Sequence, residues 1–427
     1  MPTKIQYGLP EVSGEARAEI ARLLNRPDVQ KACEWFGLHE SRLCNWQLEL
    51  AKIPSPPFGE SARAEWLTQR FHELGLEDIR TDEVGNVLGL RPGLRKQCIM
   101  LSAHIDTVFP AGTPLEIRRE GSRLYGPGVS DNGAGVTGLL GVAAALQAPG
   151  VSTQHPILFV GNVGEEGEGN LRGMRHIFSD SPFNESIAYS LILDGAGSDT
   201  IVSEALGSKR FEVIVRGPGG HSWSDFGVVN PILVLARAIH LFTQITVPES
   251  PKTTFNIGVI QGGTSVNSIP ESAGMRVDIR SSSAPEMERL EAALRNSVSF
   301  AVEEECSVLE KRAPEQKPTV GLSFEIAGIG DRPTGELDSN AKILHVIRAV
   351  DAELGNDANV QRASTDANIP ISLGREAIAI GGGGSGGGAH TLQEWFECEG
   401  RELGLKRILL ALLALAGVSE RASANRG

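Results

Sequence analysis

Apolar residues along this chain fall into two kinds of run. The continuous ones, CIMLSAH, HPILFVGNV, AYSLILD and EAIAIGG, show no polar alternation, so they predict short strands buried on both faces. NVLGL reads as a further strand. Other segments repeat their apolar positions at helical spacing. Residues up to about Asp28 read as helical and partly polar, and residues 28–53 continue as an amphipathic helix through Trp35, Phe36, Leu43, Trp46 and Leu50. PSPPF ends that helix, SARAEWLTQRFHELG begins another that closes at Gly75, and GVTGLLGVAAALQ follows Asp131. Alternating strands and helices predict an α/β fold, a mostly parallel sheet with helices on both faces.

The pattern changes between about Gly207 and Arg332. FEVIVRG reads as a strand, NPILVLARAIHLFTQI as a helix, and TTFNIGVIQGG and SAGMRVDIR as strands. PEMERLEAALRNSVSFAVEEE reads as a helix before a further strand near SVLEKRA. Strand, helix, strand, strand, helix, strand is the ferredoxin-like order. A chain of 427 residues exceeds one core, so two domains are expected. The expected division is a discontinuous domain of residues 1–206 and 333–427, interrupted by an inserted lid or dimerisation domain of residues 207–332.

Polar residues at the ends of the apolar runs add chemistry. His104 and Asp106 close LSAHIDTVF, Glu165 and Glu166 follow ILFVGNV, Asp194 ends LILD, and His390 follows EAIAI in GGGAHTLQEW; Asp131 lies in GVSDNGAG. In α/β sheets, sites gather at the carboxyl ends of strands. A single His-x-Asp is commonly structural. Adjacent acids such as Glu165 and Glu166, however, repel one another unless a cation or a proton intervenes. Imidazoles and carboxylates together suit zinc, with cobalt or manganese as alternatives. Two such ions about 3.5–4 Å apart can share a carboxylate, acidify water and polarise a carbonyl.

In that order, from about Trp46 to about Leu415, the motifs resemble the two-zinc exopeptidases that include peptidase T, carboxypeptidase G, succinyl-diaminopimelate desuccinylase and aminoacylase. The resemblance implies that His104 and Asp194 bind one metal, that Glu166 and His390 bind the other, and that Asp131 bridges them. It makes Glu165 the general base for the attacking water and sets Asp106 behind His104, orienting its ring. His221 in GPGGHSW would contact the substrate carbonyl oxygen, often from a partner subunit, and Asn267 in GGTSVNSIP with Arg280 at the end of SAGMRVDIR would hold a substrate carboxylate. Read from the residues alone, Arg280 serves equally as a strand-end partner for Asp278. In ASTDANIP, Asp366 serves helix capping or substrate contact equally.

The sequence departs from the family in two places. Asn132 and Gly133 follow the bridging aspartate where many relatives carry a lysine-containing run, and seven glycines interrupted by Ser385 fill residues 381–388. The glycine stretch stands between EAIAI and the helix-like LQEWFECEG, so it is expected inside the fold, where backbone passes close to the site. No Lys-Ser/Thr follows it, which argues against a phosphate-binding loop.

A net charge of −13 argues against nucleic acid or an anionic membrane as partner. No run of about 18 apolar residues occurs, and the first twenty residues lack an apolar signal core. The five cysteines, Cys33, Cys44, Cys98, Cys306 and Cys398, are unpaired by spacing and read as reduced thiols of a cytoplasmic protein. Cys398 is not needed as a ligand, since the set is already full. The expectation is a two-metal exopeptidase acting on di- or tripeptides, a homodimer through its lid. A hydrolase of N-acyl or N-carbamoyl amino acids is the nearer alternative, and a non-catalytic metal-binding or scaffold protein the remoter one. Nothing in the sequence decides between a free amine and a free carboxylate as the end recognised.

Overall fold

A computed structural model of the chain describes residues 12–312 and 321–419. Two compact units emerge, one formed by residues up to Ala205 together with those from Glu336 onward, the other by Leu206–Gly335.

The first unit is built on a mixed sheet. Its strands run, in spatial order, Glu77–Thr81, Val87–Arg91, Ile157–Asn162, Cys98–His104, Ile187–Leu193, Glu376–Ile380 and Thr200–Ala205, with Asn359–Ala363 also paired to Thr200–Ala205. The central pairs are parallel: Cys98–His104 with both Ile157–Asn162 and Ile187–Leu193, and the latter with Glu376–Ile380. Alternation along these strands explains their unbroken apolar character. Ile99, Leu101 and Ala103 join a core with Phe36, Leu43, Leu139 and Leu409 on one face, while Met100, Leu158 and Val160 pack with Met174, Ile177 and Ile371 on the other. A strand buried on both sides has no polar face to display.

Several expected elements change shape. Residues 28–53 do not form one helix; Pro27–Leu38 and Glu40–Ala51 meet at His39, whose ring stacks on Trp35 and donates from Nδ1 to the Trp35 carbonyl at 2.8 Å. LQEWFECEG is not helical. Trp395–Glu397 is a strand paired with Arg123–Tyr125, and the helix starts only at Arg401, after Gly400 with φ 80°. The alternating bulky residues of WFE favour a pleated partner over a helix turn. These strands belong to a small antiparallel sheet ordered Ser385–Gly387, Trp395–Glu397, Arg123–Tyr125, Arg118–Glu120.

The second unit carries an antiparallel sheet in the spatial order Thr253–Gly262, Ser272–Ser281, Gly207–Arg216, Ser323–Arg332. Helices Pro231–Thr243 and Ala284–Arg312 share a core with it through Val234, Leu235, Phe242, Leu290, Leu294 and Val298. The fourth strand is therefore not near SVLEKRA. Residues 307–312 of that segment continue the helix, because Ala301, Glu305 and Leu309 keep its buried stripe and Glu, Leu, Lys and Arg all favour helix. Its last residue, Ala313, lies outside the described residues.

Candidate metal centre

The ligand-type side chains of the first unit meet at the carboxyl ends of its parallel strands. His104 is the last residue of its strand, Glu165 and Glu166 follow Ile157–Asn162, and Asp194 follows Ile187–Leu193. Asp131 arrives from another direction, on the turn before helix Gly133–Gln147. Asn132 fixes that turn: its Oδ1 accepts from Gly135 N at 3.0 Å and Gly195 N at 3.1 Å, and its Nδ2 donates to the Leu193 carbonyl at 2.8 Å. The departure at Asn132 thus ties the Asp131 turn to the Asp194 strand.

His390 is brought in by the small sheet. It sits in the loop between Ser385–Gly387 and Trp395–Glu397, with φ 66°, a left-handed conformation uncommon outside glycine. The glycine stretch feeding this loop is packed inside the fold. A Cβ on Gly382 would stand 2.6 Å from the Ala134 carbonyl oxygen, and one on Gly383 2.6 Å from that of Arg401. No side chain fits between those backbones.

Asp131 is the hub. Its Oδ1 lies 3.2 Å from His104 Nε2 and its Oδ2 3.1 Å from His390 Nε2. His390 Nε2 is also 3.1 Å from Glu166 Oε1, and His104 Nε2 is 3.8 Å from Asp194 Oδ1. One ligand atom each from His104, Asp131 and Glu166 falls within 4.8 Å of the others. Asp131 Oδ1 is buried yet has no hydrogen bond, as suits an oxygen directed at a cation. Both donor types and the orphaned oxygen fit a divalent metal.

A second layer of contacts holds this set. Asp106 is fully buried; it accepts from Glu165 N at 3.1 Å and Glu166 N at 2.8 Å, and its Oδ1 lies 3.6 Å from His104 Nδ1. Burial would raise its carboxyl, but His104 and the two N–H groups outweigh burial and hold it below the usual range. Burial likewise opposes charge on His104, yet Asp106, Asp131 and Asp194 push it well above the ordinary imidazole range. Asp131 and then Glu166 push His390 up to about 10. Surplus negative charge thus gathers where positive charge is wanted.

Three residues of this layer fall outside the expected site. Glu394 is fully buried and accepts from Gly128, Ser130 and Asp131 backbone N–H groups at 2.7–2.8 Å, while burial pushes its carboxyl up to about 7. Asn162 Nδ2 donates to Asp366 Oδ2 at 2.6 Å, and burial pushes Asp366 up to about 7. Glu394 follows His390 by four residues, but its three partners lie some 260 residues earlier, so no local signal in the sequence marks it.

His221, Asn267 and Arg280 belong to the second unit. His221 pairs with Ser268 in a two-residue ladder, and the Asn267 carbonyl accepts from Ser222 N at 3.0 Å, so these two are neighbours. His221 Nδ1 accepts from Trp223 N at 3.1 Å, which leaves the proton of a neutral ring on Nε2. Arg280 is not with them. It lies opposite Ser208, eight residues along its strand from Ser272, a span of about 27 Å, and its Nε donates to Asp278 Oδ2 at 2.7 Å.

Known proteins resemble the chain in sequence and in fold. A probable carboxypeptidase of Ajellomyces dermatitidis is 33% identical over 223 residues, covering 48% of this chain and 50% of its own. Carboxypeptidase G2 of a Pseudomonas species is 25% identical over 229 residues, 52% of this chain and 55% of its own. The chain thus spans about half the length of these curated relatives. The crystal structure of aminopeptidase PepT from Bacillus cereus superposes with a TM-score of 0.68 at 20% identity, covering 88% of this chain and 99% of that one. A hydantoinase/carbamoylase family amidase from Burkholderia vietnamiensis gives 0.65 at 18% identity, with 88% and 97% covered. Residues 100–414, which span every ligand-type residue of the centre, match the model of peptidase family M20/M25/M40, and the chain belongs to that family.

Proposed function

We propose that this protein is a metal-dependent exopeptidase that hydrolyses the amide bond of di- or tripeptides. The observation that carries the reading is Asp131, whose two carboxylate oxygens face His104 and His390 separately. His104 and Asp194 would hold one divalent cation, Glu166 and His390 a second, and Asp131 both, with zinc favoured by the mixed imidazole and carboxylate set. When bound, such a pair supplies Lewis-acid polarisation of the scissile carbonyl and acidifies water.

The chain's own residues do the rest. Glu165, anchored through its backbone N–H to Asp106, takes the proton of the attacking water and returns it to the leaving amine. Glu166 is engaged with His390, so the two neighbouring glutamates divide the roles of base and ligand. Asp106 orients the His104 ring and fixes the backbone of both glutamates. His221 offers an Nε2–H donor suited to the oxygen of a tetrahedral intermediate. Asn267 and Arg280 would hold a substrate carboxylate. Because they lie at opposite ends of the lid sheet, the pair serving one substrate comes from two chains, with His221 and Asn267 from the partner. Ile260 on the edge strand and Leu233 on the first lid helix are exposed apolar residues that suit such a homodimer.

The test is metal content per chain by elemental analysis, with hydrolysis of a dipeptide and N-acyl amino acid panel on the same sample before and after chelation. About two equivalents of metal and chelator-sensitive dipeptide hydrolysis are expected. Preference for N-acyl or N-carbamoyl amino acids would move the assignment to an amidohydrolase, and neither metal nor hydrolysis would sink it.

A further inference from the structure

A second polar cluster lies apart from the ligand set. Cys44, on helix Glu40–Ala51, and Cys398, just after the strand Trp395–Glu397, stand 354 residues apart in the chain, and their sulfurs are 3.0 Å apart. Cys44 Sγ donates to Glu40 Oε1 at 3.2 Å, and Arg401 Nη2 donates to Cys398 Sγ at 3.2 Å. Arg401 is 1% exposed; its Nε lies 3.5 Å from Glu40 Oε1 and its Nη1 makes no hydrogen bond. The Cys44 sulfur and burial push the Cys398 thiol up, and the Arg401 N–H it receives works against them, drawing the sulfur pair toward a shared thiolate.

Glu40, Cys44 and Cys398 could also be read as a metal site, since their ligand atoms lie within 4.8 Å of one another. Two thiolates on a common zinc stand about 3.8 Å apart, from Zn–S bonds of about 2.3 Å in a tetrahedron. Sulfurs at 3.0 Å with a guanidinium at their side fit a bond between the sulfurs better.

We propose that Cys44 and Cys398 form a peroxide-responsive dithiol that closes reversibly to a disulfide, with Arg401 holding the reactive thiolate. The chemistry balances in two steps. Cys398, the more exposed of the two at 8% against 0% for Cys44, attacks hydrogen peroxide as thiolate; the O–O bond breaks, leaving a sulfenic acid and hydroxide. Cys44 then attacks the Cys398 sulfur, the S–O bond breaks, and its proton leaves with the hydroxyl as water. Two electrons pass from the sulfurs to the peroxide, and a dithiol reductant restores them.

The closed form would be sensed at the Asp131 turn. Arg401 Nη2 also donates to Gln47 Oε1 at 2.6 Å, and Gln47 Nε2 donates to the Val129 carbonyl, two residues before Asp131. Once Cys398 is no longer a thiolate, Arg401 loses that acceptor and the Gln47 link shifts with it.

Two measurements on the folded 427-residue chain test this, and neither depends on hydrolysis, so their failure is separate from failure of the peptidase reading. Peroxide treatment, then denaturing alkylation and peptide mass analysis, should show one linked peptide joining Cys44 to Cys398, lighter by two hydrogens and lost on reduction with dithiothreitol. Cys33, Cys98 and Cys306 should stay alkylated. Absence of the linked peptide at any peroxide dose, or a third zinc ion per chain that is lost in C44S and C398S, would overturn the dithiol assignment. Amide hydrogen exchange across residues 126–132 should speed up on oxidation of the wild type and not in C44S/C398S. Unchanged exchange in a wild type carrying the disulfide would overturn the link to Asp131; this arm, like the mass analysis, uses the wild type, so it stands even where the double variant fails to fold.

Discussion

In the first unit, His104 is 2% exposed, its ring set between Asp106, Asp131 and Asp194; in the second, His221 is exposed and its ring accepts from its own loop. Both histidines follow strand-like segments, and both carry family resemblance. The difference is in what holds them. His104 ends a strand buried on both faces, so its position is fixed by the same packing that folds the unit. His221 sits on a two-residue ladder with exposed Trp223 and Val266 nearby in sequence, so packing within this unit does little to hold it. A buried group preorganised by the core suits metal and proton transfer. An exposed donor on a loop suits a role completed by substrate or by a second chain.

Substitutions can break or sharpen that contrast. The largest effect is expected for Glu165→Gln, which should keep its metal while turnover falls about 10²–10⁴-fold, the share credited to general acid–base catalysis; steady-state rates beside elemental analysis check it, and unaltered turnover would take Glu165 out of the mechanism. His221→Ala should lower turnover about 10²–10³-fold, as for a lost oxyanion donor, again with metal retained. Mixing H221A with E165Q subunits should restore part of the activity if His221 acts across the dimer, and a mixture as inactive as its parents would place it within one chain. Asp106→Ala should weaken metal binding about 10–100-fold, read by competition with a chromogenic chelator. That loss without a change in His221→Ala would separate the two regions cleanly.

Protons give a fourth test. Without metal, His390 is raised to about 10 by Asp131 and Glu166, so the folded apo protein carries that proton at neutral pH. A raised imidazole stabilises the apo fold fully below the unfolded value near 6.5, and that contribution fades as pH rises through 10. Metal needs the neutral ring, so uptake at neutral pH should release protons and affinity should rise with pH in this window. Calorimetry in buffers of different ionisation enthalpy reads the release; none would mean that His390 is not a ligand. The smallest stability effect is expected at Arg280→Ala, because the Arg280–Asp278 pair is partly exposed and such pairs contribute about 0–1 kcal/mol. A raised KM for substrates with a free carboxylate, at an unshifted melting temperature, would place Arg280 on the substrate.

Much of the centre is legible in the amino-acid sequence. His104, Glu165, Glu166 and Asp194 end or follow runs whose continuous apolar character marks strands buried on both faces, and side chains at those ends converge whenever the strands are parallel neighbours. Glu394 is not legible there, because a carboxylate that accepts three backbone N–H groups has its partners some 260 residues earlier. The fourth lid strand and the break at His39 escape a reading by period, because helical spacing continues through Leu309 and across His39 alike.

The sequence by itself determined which strands are buried and which residue types gather at their ends, since period and composition are local properties. Only the tertiary structure decided that Asp131 turns one oxygen to each histidine, that the small sheet delivers His390, and that Cys44 meets Cys398. Each of these rests on pairing between segments remote in the chain, and strand pairing and side-chain contact across such distances are set by how whole elements pack, which no local pattern encodes.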